Sequence, residues 1–374
     1  MLAIQEYLRT NGLDKTINDF KLKTRVYENK ILFKYDQLVS NTLMGLPEMQ
    51  DCRGIILEKG TWNVMSLAFR KFFNAEEGNA HKIDWKTAKI LEKLDGTMIQ
   101  LHWDWYAQTW FAATTGTAEG EGEVNNKMGT TFNELFWETI VKMNGESDTF
   151  KSSLDKGKCY TFELTTPYNI VVKPHGTSST TLLAVRDLAT LKEEVADEYA
   201  IKLGVPLVKQ YDLNANNVGA ILRTFEGMVW YDEGYVIVDA NFNRVKVKNP
   251  AYVAVHHLKG KSAEHNILTI VKSNEIEEFG ATFPERKDEL YRLKTNYDLL
   301  VDKLNVVWLE LVAHKPRNIT ASEKKRFAMQ VFKVADNNNV KNFTGLFFNL
   351  NEGKVVSVEE YLMGYDDKLL YKML

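Results

Sequence analysis

Ile90-Leu91-Glu92-Lys93-Leu94-Asp95-Gly96-Thr97-Met98-Ile99 reads as two strands joined through a lysine, an acid and a glycine. Ile90-Leu91 and Met98-Ile99 carry the strand signal, and Gly96 lets the backbone turn sharply between them. One lysine therefore sits at a strand end. A protonated amine is a poor nucleophile, but burial or neighbouring cations lower its pKa and free it to attack carbonyl carbon or phosphorus. A surface hairpin would use the same four residues, so the rest of the chain decides between the two readings.

Further along, Glu233-Gly234-Tyr235-Val236-Ile237-Val238 leads through a polar turn at Asp239, Asn241 and Asn243 into Arg244-Val245-Lys246-Val247-Lys248. Two β-branched runs around an Asn/Asp turn form a hairpin. Alternation puts Arg244, Lys246 and Lys248 on one face and Val245 and Val247 on the other. Three like charges side by side repel, so this strand is either a solvated edge guarded by lysines or the wall of an anion site. Arg53 precedes the apolar run Gly54-Ile55-Ile56, and Arg70-Lys71-Phe72-Phe73-Asn74 follows the next strand. Arginine can grip phosphate in a bidentate fork and lysine as a point charge. Tyr160-Thr161-Phe162-Glu163-Leu164 puts its aromatics on one face and Glu163 with Thr161 on the other, where a carboxylate could hold a ribose hydroxyl or a hydrated magnesium ion.

The organisation is α+β, with mostly antiparallel sheets and flanking helices, because βα alternation is absent. A short amphipathic helix spans residues 1–10, and strands follow at Ile31–Tyr35, Gly54–Glu58 and Val64–Ala68. Short strand-like runs recur from Ile90 to Val255, with helices near Phe132–Met143 and Lys192–Leu203. Thr117–Gly129, rich in glycine and acids, reads as a mobile loop. Beyond about residue 256 strand signals nearly vanish. A helix opens at Pro284 and runs to about His314, and Thr320-x-x-Glu323 and Ser357-x-x-Glu360 form capping boxes. The expected division is therefore a domain at 1–256 and an all-helical domain at 257–374. The acids Glu275, Glu277 and Glu278 read as a solvated helix face rather than a cation site.

Composition narrows the function. At 374 residues the chain exceeds what one hydrophobic core usually serves. A net charge of −3 excludes a protein that coats nucleic acid over its whole surface but allows a local cationic groove. Cys52 and Cys159 are the only cysteines, with no Cys-x-x-Cys spacing, which argues against structural zinc and a disulfide scaffold. Arg9, Lys15 and Asp19 interrupt any signal-type apolar run, and no membrane-length apolar stretch follows, so a cytoplasmic protein is expected.

The series Arg53-Gly54, Lys71-Phe72-Phe73-Asn74, Lys93-x-Asp95-Gly96, Phe162-Glu163, Glu233-Gly234-Tyr235-Val236 and Lys246-x-Lys248 resembles the covalent nucleotidyltransferases. Within them it is similar to the ATP-dependent RNA ligase 1 family of T-even-like bacteriophages. The likeness spans roughly residues 30–256, and the Glu233-to-Lys246 interval is the family's. Leu182-Leu183-Ala184-Val185-Arg186 is similar to a further motif. The resemblance implies that Lys93 carries AMP and that Lys246 and Lys248 assist catalysis. It implies nucleotide contacts from Tyr35, Arg53, Lys71, Lys93, Glu163, Lys246 and Lys248, metal contacts from Glu233 and Glu163, and supporting roles for Asp95, Gly96 and Tyr252. Val185 and Val236 would wall the adenine.

ATP is the implied substrate, with Mg2+ as cofactor and Mn2+ as a substitute. The implied partner is RNA with 5′-phosphate and 3′-hydroxyl ends, single-stranded or a nicked tRNA, handled by a monomer in a phage host's cytoplasm. The helical domain would supply RNA specificity. Thr115 departs from the family, which has a basic residue before Gly-Ser there. Glu226-Gly227-Met228-Val229 imitates the Glu233 motif but leaves too long an interval before Lys246. Two alternatives keep part of this reading: a DNA ligase or capping-type nucleotidyltransferase, which usually carries an OB-fold instead of a helical tail, and a non-catalytic protein that binds RNA ends.

Overall fold

The computed structural model describes residues 1–36, 39, 41–258, 263–312 and 321–374, in two compact units, Met1–His256 and His257–Leu374. Lys93–Gly96 is a crossover between two sheets. The strand before it, Lys89–Glu92, and the strand after it, Thr97–Asp104, lie in different sheets, which rules out the hairpin. Gly96 is required there by space. A Cβ at this position would stand 2.5 Å from the Leu164 carbonyl oxygen, and a backbone atom cannot give way as a flexible side chain can.

The first sheet orders its strands Gln210–Tyr211, Lys89–Glu92, Gly234–Val238, Arg244–Lys248 and Phe73–Asn74. All pairs are antiparallel except the last, where Val245 and Lys246 pair with Phe73 and Asn74 in parallel. Period-2 alternation sends Ile90, Tyr235, Ile237, Val245 and Val247 to one face, where they pack with Ile221 of the helix Val218–Arg223. The opposite face carries Leu91, Val236 and Lys248 towards the second sheet.

That second sheet runs Glu193–Glu194, Ser179–Asp187, Lys158–Thr165, Thr97–Asp104 and Thr109–Ala113, antiparallel throughout. Its outer face buries Ile99, Leu101, Tyr160, Phe162 and Leu164 against Leu135, Phe136 and Ile140 of the helix Phe132–Asn144. Full burial of each such side chain contributes roughly 1.5–3 kcal/mol. Thr131 starts this helix with a capping box, its side chain accepting from the Glu134 amide. A third, four-stranded antiparallel sheet, Leu22–Val26, Lys30–Tyr35, Arg53–Glu58 and Val64–Ser66, packs on the helices Ala3–Asn11 and Pro47–Asp51. Buried Gln100 ties it to the second sheet, donating to the Gly54 carbonyl at 3.0 Å and accepting from Ser66 Oγ and the Ala68 amide, both at 3.1 Å.

The α+β class with mostly antiparallel sheets is as expected; three local readings are corrected. Thr117–Gly129 is not simply a loop: Val124 pairs with Lys127 and Glu123 with Thr131 across a bulge, and Glu121 accepts from Arg25 at 2.8 Å. Two of its acids have cationic partners, Glu121 with Arg25 and Glu119 with Lys30, and Glu123 accepts from the Gly129 amide. The helix expected at Lys192–Leu203 is only Asp197–Leu203, because Glu193–Glu194 pairs with Val185 and Arg186 as an edge strand. Val185 does not face the inter-sheet space. Leu183 is an extra residue in the ladder between Thr161–Ala184 and Phe162–Leu182, and this bulge reverses the alternation, turning Val185 into the helix-facing core.

The second unit is helical. Lys287–Val312 follows a 3-10 turn at Pro284–Arg286 and buries Leu290, Leu293, Tyr297, Val301, Leu304, Val307 and Leu311 on one stripe. His314 and Thr320 lie outside the described residues, as does the Glu278 side chain. Ser357 does cap the helix Val358–Met363, accepting from the Glu360 amide at 3.1 Å. Glu275 accepts from Ser273 Oγ at 2.9 Å and Glu277 from the Tyr291 hydroxyl. Among the described residues no group of three metal-ligating side chains forms, and no helix is long and apolar enough to cross a membrane.

Candidate active site

Between the first two sheets lies a cavity of about 380 Å3. The Lys93 amide donates to the Gly234 carbonyl at 2.9 Å, which fixes the crossover against the hairpin. The Lys93 ammonium, with a fifth of its side chain exposed, is 2.7 Å from Glu233 Oε2. The other Glu233 oxygen is 3.4 Å from Lys248 Nζ. One buried carboxylate therefore stands between two ammonium groups. It is held there because the Asn249 amide donates to the Glu233 carbonyl at 2.9 Å. Glu226 is exposed, in the turn after the helix Val218–Arg223.

Burial is the largest influence on Lys93 and lowers its pKa; Lys248 and Lys246 lower it further, against the opposing pull of Glu233. Burial alone would raise Glu233, but Lys93, Lys248 and Lys246 together hold it below the ordinary carboxylate value. Glu163 behaves in the opposite way. Burial first, then the charges of Glu233 and Asp95, push it up to about 8, against the pull of Lys93 and Arg53. The unfolded chain ionises this acid near 4.5, so its stabilising protonated form is complete below that value and lost as pH rises through about 8. Glu163→Gln should therefore raise the melting temperature of the first unit at about pH 9 and leave it nearly unchanged at about pH 5, by roughly 2–4 °C per kcal/mol of relieved cost. Calorimetry at the two pH values checks this; equal shifts would exclude a buried-charge cost.

Arg53, Lys93, Asp95, Gly96, Glu163, Glu233, Lys248 and Tyr252 all line this one cavity. Tyr35, Lys71 and Lys246 do not; they gather with Arg53 in an adjoining cationic group. Lys71 Nζ sits 4.7 Å above the Tyr35 ring, and burial of the Tyr35 phenol is outweighed by Lys71, Arg53 and Lys246, which together lower its pKa. Asp95 has an orienting geometry. Its Oδ2 accepts from the Val172 and Lys173 amides at 2.9 and 2.6 Å, and its Oδ1 from the Tyr252 hydroxyl at 3.0 Å. These bonds strap the segment after Glu163 across the lysine turn.

Several site residues were not singled out from the sequence. Phe69 and Phe72 line the cavity and stack on the Arg53 guanidinium at 5.2 and 5.7 Å. The phenylalanines of the Lys71-Phe72-Phe73 stretch were the available signal, since alternation sends one inward. Leu183 takes the cavity position that Val185 was expected to fill, while Val236 does line it. Arg244 lines it too but is anchored: buried Glu193 accepts from its Nη1 at 2.8 Å, and Phe69 lies 4.9 Å from its guanidinium.

Comparison with known proteins adds the family. The RNA ligase family model matches residues 51–252, more than half of the chain and every cavity-lining position except His256. The chain belongs to the phage RNA ligase 1 family. It is an RNA ligase. The RNA ligase of Rhodothermus phage RM378 is 24% identical over 350 residues, covering 76% of this chain and 78% of that protein. A putative bifunctional polynucleotide kinase/RNA ligase of Autographa californica nuclear polyhedrosis virus is 26% identical over 308 residues, covering 77% of this chain but 42% of the longer viral protein. Among solved structures, an archaeal ATP-dependent RNA ligase aligns with a TM-score of 0.44 at 14% identity, over 90% of this chain and 80% of that one.

Proposed function

We propose that this RNA ligase uses ATP to join 5′-phosphate and 3′-hydroxyl RNA ends through a lysyl-AMP enzyme and an adenylylated RNA. The observation that carries the proposal is the Lys93–Glu233–Lys248 triad at 2.7 and 3.4 Å inside one cavity. In the first step unprotonated Lys93 Nζ bonds to the α-phosphorus of ATP as the bond to pyrophosphate breaks. The RNA 5′-phosphate oxygen then attacks the same phosphorus, frees the lysine and leaves an activated 5′-adenylyl end. The 3′-hydroxyl finally attacks the RNA phosphorus, forms the phosphodiester and releases AMP.

Lys246 and Lys248 favour the neutral amine before nucleotide binds and neutralise phosphate charge afterwards. Arg53, held flat by Phe69 and Phe72, faces the same cavity as a phosphate or base contact. Tyr35 and Lys71 extend the cationic group beyond it. Two carboxylates in one cavity, Glu233 and Glu163, suit a hard divalent cation, which takes one or two carboxylates and completes its shell with water and phosphate oxygens. Magnesium, or manganese in its place, would polarise the phosphates there and orient the leaving group. Residues 1–256 would form the adenylyltransferase domain and 257–374 the RNA-specificity domain. The physiological role we favour is repair of a broken tRNA in a host cytoplasm, by a monomer.

A gel assay tests the reading. 5′-Phosphorylated single-stranded RNA with ATP and magnesium should yield circles and an adenylylated intermediate. GTP or nicked DNA should give neither. Binding of RNA with no adduct and no product would overturn it in favour of a non-catalytic role.

A further inference from the structure

Val229-Trp230-Tyr231-Asp232 forms a tight turn directly before Glu233, the Asp232 amide donating to the Val229 carbonyl at 3.0 Å. Val229 is 43% and Trp230 48% exposed, yet the backbone of this turn is tied down. Asn249, 2% exposed, donates its side-chain amide to the Val229 and Asp232 carbonyls at 3.0 and 3.1 Å. Asn249 also follows Lys248 directly, so the turn is pinned to the cationic strand itself.

Trp230 and Tyr231 meet edge to face, ring centroids 5.3 Å apart at 78°. Lys173 Nζ stands 5.6 Å from the Tyr231 ring centroid and 2.7 Å from Asp232. The Lys173 amide is in turn bonded to Asp95, two residues from Lys93. The aromatic pair is thus joined to the nucleophile's turn from both sides, through Glu233 and through Lys173. A large aromatic surface left half in water on a backbone fixed in advance is the arrangement that stacks an unpaired base, since every base offers a π-face and the backbone needs no further ordering.

Resting on the ligase reading above, we infer that Trp230 with Tyr231 is a stacking platform for a nucleobase of the single-stranded RNA end whose terminus enters the Lys93 cavity. Lys173 borders the platform, where the sugar-phosphate backbone of that nucleotide would run. The platform serves the strand-joining steps and has no part in attack on ATP.

Trp230→Ala should raise the KM for RNA about tenfold, with covalent AMP loading from ATP alone kept within twofold of the parent. Trp230→Phe, which keeps an aromatic face, should recover most of the loss. The unsubstituted enzyme gives an independent measurement. RNA carrying 5-iodouracil at the terminal or penultimate base, irradiated on the enzyme, should crosslink to the tryptic peptide Thr224–Arg244 at Trp230 or Tyr231. Separate labelling of the 5′-phosphate strand and the 3′-hydroxyl strand identifies which end stacks. Normal AMP loading with an unchanged RNA KM, or crosslinks confined to other peptides, overturns the platform and leaves the ligase reading standing. Absence of AMP loading in the parent overturns the ligase reading instead. A protein captured at Trp230 in place of RNA would also sink the inference.

Discussion

Lys93→Ala is expected to form no covalent AMP adduct after incubation with ATP and magnesium, as read by intact-protein mass spectrometry. Loss of a covalent nucleophile costs on the scale of a million-fold in rate, because no neighbouring group replaces a bond-forming atom. Lys248 is the rival amine, since it touches the other oxygen of Glu233. The two differ in what holds them. Lys93 is on the crossover between the sheets, with its amide fixed to Gly234, whereas Lys248 ends a strand and sits 5.9 Å from the Tyr252 ring centroid. Peptide mapping of the parent adduct separates them. AMP on Lys248, or an adduct that survives in Lys93→Ala, would refute the assignment. The same variant should still seal pre-adenylylated RNA, more slowly, because in the proposed mechanism the last step needs the cationic wall but no lysine nucleophile. Loss of that activity as well would point to a damaged fold or to a second role for Lys93.

How far this site can be read from sequence depends on the range of the interaction involved. The lysine turn was legible because its sequence signal is local, strand on either side of Lys-x-Asp-Gly, although what Gly96 and Asp95 serve is long-range: the Leu164 carbonyl leaves no room for a Cβ, and Asp95 is bonded by Val172, Lys173 and Tyr252. The Glu233 and Lys248 ends were legible because a hairpin's alternation is local too, and Gly234–Lys248 and Tyr235–Val247 pair in that register. Where one residue broke the period the reading failed. The bulge at Leu183 sent Val185 away from the cavity, and nothing in the four aliphatic or small residues 182–185 marks which one is extra. Arg244 failed for a different reason. Its partner Glu193 is fifty-one residues away on the edge of the other sheet, so alternation groups it with Lys246 and Lys248 when it is an anchor between sheets. The acid-rich segment after Thr117 hides its role for the same reason, since its partners lie far off in the N-terminal sheet, Arg25 on a strand and Tyr27 in the turn that follows it.

The pH dependence of AMP loading should move in opposite directions in two variants of the triad. For kcat/KM with ATP, which reports the free enzyme, the rate should rise with pH as Lys93 loses its proton and level off above its pKa. Measurements belong above about pH 7, where the nucleotide phosphates are fully ionised. Burial sets that pKa below the usual lysine value; Lys248 and Lys246 lower it further and Glu233 raises it. Glu233→Gln removes the charge that favours the ammonium, so the midpoint should fall, by about 1 unit or more for a partner in direct contact. Lys248→Met removes a like charge, so the midpoint should climb, by up to about 1 unit. Both variants should also lose plateau rate, since in the proposed mechanism each removes a group that would face the phosphates or the metal, which is why the midpoint and the plateau have to be fitted separately. A merely structural role for Glu233 or Lys248 would lower the plateau and leave the midpoint where it is. Should the two midpoints move the same way, the amine that titrates is not held between these charges, and Lys93 would have to be activated by something other than its burial beside the cationic strand.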